Sequence, residues 1–114
     1  MAKTYRELVD EAKSRIEEVG IDEVGDATLV DVREDADWNQ GHLPGALHVS
    51  RGVLESRADK LLPEKDAPLV LYCGGGGRSA LAADALQEMG YTNVRSLAGG
   101  FRAWTAAGLP TEKE

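Results

Sequence analysis

Cys73, the only cysteine in 114 residues, is followed by Gly74, Gly75, Gly76 and Gly77 and then by Arg78 and Ser79. Glycine loses more conformational freedom on folding than any other residue. Four in succession therefore imply a backbone that takes shapes other residues cannot, with something lying close against it. Successive N–H groups in such a turn can converge into an anion-binding nest, and the first N–H groups of a following helix add partial positive charge. A thiol set in that cradle beside the Arg78 guanidinium ionises more readily than a free cysteine, because dipoles and cation both favour the thiolate. The chemistry this predicts is nucleophilic attack by Cys73 at neutral pH. The alternative is an inert, buried cysteine ending a strand beside a flexible turn.

Spacing separates this loop from three other glycine-loop chemistries. Residues 75–80 fit the G-x-G-x-x-A variant of a dinucleotide fingerprint, but the next strand ends in Ser96 and Leu97, with no Asp or Glu to hold a ribose. A nucleotide P-loop needs Lys before its Ser, and Arg78 stands there instead. A cysteine-dependent phosphatase or arsenate reductase also wraps an oxyanion between cysteine and arginine, typically with one more intervening residue and often with His before the cysteine. Here Tyr72 precedes Cys73 and only Gly74 to Gly77 separate it from Arg78. The shorter loop makes a ring of N–H donors too small for a tetrahedral phosphate and suited to a terminal sulfur on the cysteine.

Such a loop needs a strand to deliver the cysteine and a helix to receive the chain. Thr4 and Glu7 form a capping box, and Tyr5, Leu8, Val9, Ala12, Ile16 and Val19 recur at helical spacing, predicting a first helix over 5–19. Aliphatic and β-branched runs predict strands over 28–32, 46–49, 68–73 and 93–97. Helical patterns fall over 35–40, 51–62, 79–89 with Gly90 at the C′ position, and 101–107. This alternation predicts one α/β domain, a parallel sheet with helices on both faces. Cys73 then ends a buried strand, at the carboxyl edge where open α/β sheets bind ligands. The residues after Pro110 read as a free tail.

Composition narrows the partners. A net charge of -7 and a pI near 4.8 argue against a general binder of nucleic acid or anionic membrane, so any anion site is local. A lone cysteine forms no internal disulfide, and the chain shows neither a signal-peptide pattern nor an apolar run of membrane length, which points to a reducing, cytoplasmic setting. His42 and His48 lie far from Cys73 without zinc-site spacing, so neither a metal nor another cofactor is expected.

Three ordered stretches, LVDVREDADWNQGHLPGALHV (29–49), YCGGGGRSALAADAL (72–86) and VRSLAGGFRAWTAAGLP (94–110), resemble the hallmarks of the rhodanese family of sulfurtransferases. The resemblance implies a three-layer α/β/α domain over 21–110 with a central, mainly parallel sheet. A helical extension over 1–20 packs on it, and 111–114 trail free. It further implies that Cys73 takes sulfane sulfur from thiosulfate or a persulfide donor and yields it to a thiol, cyanide or a protein acceptor. With no second cysteine to attack the persulfide, the acceptor comes from outside. The N–H groups of Gly74, Gly75, Gly76, Gly77, Arg78 and Ser79 steady the sulfur's charge, and Arg78 neutralises departing sulfite or sulfonate. The family loop often carries Arg directly after the cysteine, where this chain has Gly74, which removes one positive charge. Asp31 and Arg33, at the end of the first predicted strand, are expected to hold loops in place as an ion pair rather than to catalyse. Trp38 and His42 are read as packing and turn residues, because an ionised thiolate needs no general base. Arg51 and Arg57 are candidates for the pocket rim or for a solvated helix face. Gly99 and Gly100 permit a tight turn before Trp104 packs. The competing non-enzyme reading is a sulfur-carrier or interaction module.

Overall fold

The strand that delivers the cysteine is the centre of the molecule. In the computed structural model, which describes residues 2–113, Leu69–Tyr72 is buried at every position. In chain order the elements are α1 (Tyr5–Lys13), β1 (Glu17–Val19), β2 (Thr28–Asp31), α2 (Asp35–Gln40) and β3 (Leu47–His48). They continue with a 3-10 turn at Arg51–Val53, α3 (Leu54–Leu61), β4 (Leu69–Tyr72), α4 (Gly77–Glu88), β5 (Val94–Leu97) and α5 (Gly100–Ala106). The strands form one parallel sheet in the order β1-β5-β4-β2-β3, with Val30 opposite Leu71 and Leu71 opposite Ser96.

Successive strand residues point to opposite faces, and β4 divides its side chains accordingly. Leu69 and Leu71 join Val30, Val32 and Val94 against Leu54 and Ala58 of α3 and Ala82, Ala83 and Leu86 of α4. Val70 and Tyr72 join Val19, Leu43 and Leu97, covered by Phe101 and Trp104 of α5. Two apolar layers thus enclose the sheet, as the near-continuous hydrophobic strands require. α1 lies along α4, and the Arg15 guanidinium ties this segment to α4 by two bonds to the Asp84 carboxylate, at 3.0 and 2.7 Å.

The first helix is shorter than the sequence spacing predicts. It opens on the capping box, with Glu7 N donating to Thr4 Oγ1 at 3.1 Å and Thr4 N donating to Glu7 Oε1 at 2.8 Å, but it closes at Lys13. Ile16 and Val19 then pack on opposite faces of the sheet, which a single helical stripe cannot do. Glu17–Val19 instead pairs in parallel with β5, so part of the 1–20 segment is an edge strand of the sheet rather than helical extension. The chain after Pro110 is not free either. Residues His42 and Glu112 exchange both backbone hydrogen bonds, at 2.8 and 2.9 Å, and Trp104 Nε1 donates to Pro110 O at 2.7 Å.

Asp31 and Arg33 close the carboxyl end of β2 as a buried ion pair. Arg33 Nη2 and Nε donate to the Asp31 carboxylate at 2.8 and 3.1 Å, and Nη2 also donates to Gly41 O at 2.6 Å. The guanidinium lies 4.1 Å from the centre of the Phe101 ring, so one side chain joins β2, the loop after α2, and α5. Removing one partner of such a pair strands the other charge away from water, at a cost of about 3–5 kcal/mol. Arg33→Ala is therefore expected to lower the melting temperature by about 10 °C or more. Thermal denaturation followed by circular dichroism checks this, and a change below about 3 °C would remove the pair from its fastening role.

Candidate active site

Cys73 leaves the end of β4 with only 2% of its surface exposed and forms part of the floor of a pocket of about 310 Å³. The thiol is recessed rather than displayed on the surface. Its Sγ accepts hydrogen bonds from Gly76 N at 3.2 Å and Ser79 N at 3.3 Å. The Ser79 hydroxyl stands 3.5 Å from Sγ and 2.8 Å from the Ser96 hydroxyl on β5. As a thiol, Cys73 donates to Ser79 Oγ; as a thiolate it can receive that hydroxyl's hydrogen while Ser96 donates in turn. Burial pushes the thiol pKa up, but the Ser79 hydroxyl and the amides of Ser79, Gly76 and Gly75 together outweigh it and hold Cys73 below its ordinary value. Of the six amides expected to steady the sulfur, two bond it directly. Those of Gly77 and Arg78, in the first turn of α4, have no partner within the helix.

The first carbonyls of the same loop are held by the element that follows β5. Phe101 N donates to Cys73 O at 2.8 Å and Arg102 N donates to Gly74 O at 3.0 Å, so the start of α5 ties two carbonyls of the loop. This contact requires glycine at position 100, whose φ is 54° and where a Cβ would run into Cys73 O.

The four loop glycines do not all serve the backbone. Only Gly76, the N-cap of α4, has a left-handed φ, at 105°, which corrects the expectation that the whole run adopts shapes closed to other residues. Two of the others provide clearance. A Cβ on Gly75 would lie 2.6 Å from Arg102 Nη1, and one on Gly77 would lie 2.6 Å from the Tyr5 hydroxyl. Tyr5, Arg78 and Arg102 line the pocket with Cys73, Gly75 and Gly77.

Arg78 is thus placed at the site that its position in the sequence suggests. Asp31 and Arg33 are closed on each other and do not line the pocket. Arg51 is paired with Glu55 at 2.7 Å, and Arg57 borders a separate hollow with Ser56, Lys60 and Leu61, so neither rims the Cys73 pocket. The imidazole of His42 is stacked on Trp38 with ring centres 3.4 Å apart, and its Nδ1 lies 3.2 Å from Trp38 O, as befits a packing residue. Arg102 and Tyr5 escaped the sequence reading. The signal for Arg102 lay in the closing stretch, directly after the glycine pair and Phe101. Tyr5 had none, because only the packing of α1 along α4 brings it over the loop. Among the described residues no cluster of three or more His, Cys, Asp and Glu is arranged to hold a metal, and no helix is long and apolar enough to cross a membrane.

The sequence matches the family model of the rhodanese-like domain over residues 8–107. It is 35% identical to a protein named sulfurtransferase from Allochromatium vinosum, across 90% of this chain and 94% of that protein. It is 36% identical to the thiosulfate sulfurtransferase GlpE of Coxiella burnetii, across 71% of this chain and 74% of that one. A solved structure from Rhodopseudomonas palustris, of a protein described as of unknown function and a possible tyrosine phosphatase, superposes with a TM-score of 0.89 at 35% identity, covering 98% of this chain and 96% of that chain. Sequence match, relatives and sheet order agree, and the chain belongs to the rhodanese-like family, among whose single-domain members are named sulfurtransferases.

Proposed function

We propose that the protein carries sulfane sulfur from thiosulfate or a persulfide donor to an external thiophilic acceptor, through a persulfide on Cys73. The observation that carries this reading is the sulfur itself: Sγ held at the floor of a pocket by the amides of Gly76 and Ser79, below its ordinary pKa, with Arg78 beside it. In the first half-reaction the Cys73 thiolate attacks the outer sulfur of thiosulfate. A bond forms between Sγ and that sulfur, the bond to the sulfonate sulfur breaks, and its electron pair leaves with sulfite. In the second, a thiolate or cyanide attacks the outer sulfur and Sγ takes its electron pair back. Charge and atoms balance in each step, no external oxidant is consumed, and no general base is required.

Persulfide formation moves negative charge one atom outward, and the amides of Gly77 and Arg78, which have no partner within α4, are donors that can meet it. The chain has no second cysteine, so the persulfide persists until an outside acceptor arrives, and the kinetics are ping-pong. A reducing compartment such as the cytoplasm would keep the lone thiol unpaired. Against phosphate chemistry stands the short run from Cys73 to Arg78, whose ring is already drawn in around one sulfur atom.

Intact mass spectrometry after brief exposure to thiosulfate, and separately to glutathione persulfide, should show a gain of one sulfur that disappears in Cys73→Ser. No gain from either donor, or release of phosphate from an aryl phosphate at Cys73, would overturn the reading. The pH dependence is equally specific. An ordinary cysteine titrates near about 8.5, so a depressed pKa keeps wild-type Cys73 ionised as the pH falls below that value and loses the thiolate only lower down. Iodoacetamide alkylation rates against pH should show this midpoint, and Ser79→Ala should move it upward and slow alkylation at pH 7. An unchanged midpoint in Ser79→Ala would remove Ser79 from the cradle.

A further inference from the structure

We propose that Arg102 is a specificity-determining residue which, with Arg78, forms a two-guanidinium site selecting doubly charged oxyanion donors such as thiosulfate. The inference deepens the sulfur-transfer reading and rests on it for the identity of the donor. Three observations carry it. First, both arginines line the Cys73 pocket, and they share one small space within it. A carbon placed at the Cβ position of Gly74 would lie 3.7 Å from Arg78 Nη2 and 3.9 Å from Arg102 Nη2, so the two guanidiniums flank one point of the loop and a compact oxyanion in front of it can meet both. Second, neither guanidinium is paired with a carboxylate among the described residues, in a chain whose net charge is -7. Two neighbouring cations left without a counter-ion, Arg78 half-buried and Arg102 exposed on the surface of a strongly acidic protein, create a local positive potential near the reactive sulfur.

Third, the fold reserves the place of Arg102. Its amide is bonded to Gly74 O at 3.0 Å, and its guanidinium passes over Gly75 through the space a Cβ would take. The second positive charge at the loop thus comes from α5, a different element from the one that carries Arg78. A sulfonate group offers oxygens to both guanidiniums, and the pairing strengthens as the departing sulfite gains charge, so the pair acts on the rate of loading as well as on binding. A persulfide of a small neutral thiol has no oxyanion to place there and gains nothing from the second arginine.

The test measures Cys73 loading by thiosulfate and by hydroxyethyl persulfide in wild type, Arg102→Ala, Arg102→Lys and, as a charge-matched control on α3, Lys60→Ala. Arg102→Ala should lose roughly ten-fold in the second-order rate constant with thiosulfate and less than about two-fold with the neutral-thiol persulfide. Arg102→Lys should recover part of the loss, and Lys60→Ala should match wild type. A companion measurement needs no sulfur transfer: protection of Cys73 from iodoacetamide by sulfate, at ionic strength fixed with sodium chloride. Sulfate should protect wild type, and Arg102→Ala should require a several-fold higher concentration. Equal losses with both donors, or sulfate protection unchanged in Arg102→Ala, would overturn the proposal while leaving sulfur transfer intact. Arg102-dependent protection in a protein that no donor loads would instead uphold the oxyanion site and overturn the transfer reading.

Discussion

The rest of the structure depends on how peptide groups are oriented around one sulfur. Every peptide carries a donor and an acceptor, and in a loop this tight both kinds of group must find partners. Here the carbonyls of Cys73 and Gly74 are taken by Phe101 and Arg102, and the amides of Gly76 and Ser79 are taken by Sγ. The paired glycines of the closing stretch therefore belong to the chemistry, although neither touches the sulfur. Gly100 brings the start of α5 against the loop, at a distance that a side chain would forbid.

The sheet makes this arrangement stiff. β4 lies between β5 and β2 and is buried on both faces, so the point where the chain leaves the sheet is set by parallel pairing on either side. Ser96 on β5 supports Ser79, which contacts the thiol, and links the neighbouring strand to the reactive atom by hydroxyl groups. On the other side, the Asp31 and Arg33 pair fixes the end of β2 and touches Phe101, whose amide holds the loop carbonyl. A charge pair outside the pocket thus braces its back wall.

Much of this was legible in the sequence, because the signals were local. The strand runs at 28–32, 68–73 and 93–97 contain β2, β4 and β5, and α2 occupies the expected 35–40. The reactive cysteine, its loop and the helix after it could be read from residue types in one short stretch. What could not be read required knowledge of distant partners. Ile16 and Val19 satisfy a helical spacing, yet β5 offers an open edge and draws Glu17–Val19 into the sheet. The segment after Pro110 looked free because its partner, His42, lies far back in the chain. The glycine run was conspicuous, but the reason for Gly75 and Gly77 lay in Arg102 and Tyr5, residues from either end of the chain.

The position of Tyr5 separates two properties that a single loop would otherwise have to reconcile. The amides that steady charge belong to the loop and to α4, while part of the doorway above them belongs to α1, an appendage packed along α4 through the buried Val9 and Ala12 and joined to it by the pair of Arg15 and Asp84. Reactivity and admission are thus written in different segments. Evolution or a protein engineer can resize the opening by altering the appendage, with no change to any atom that tunes the thiolate.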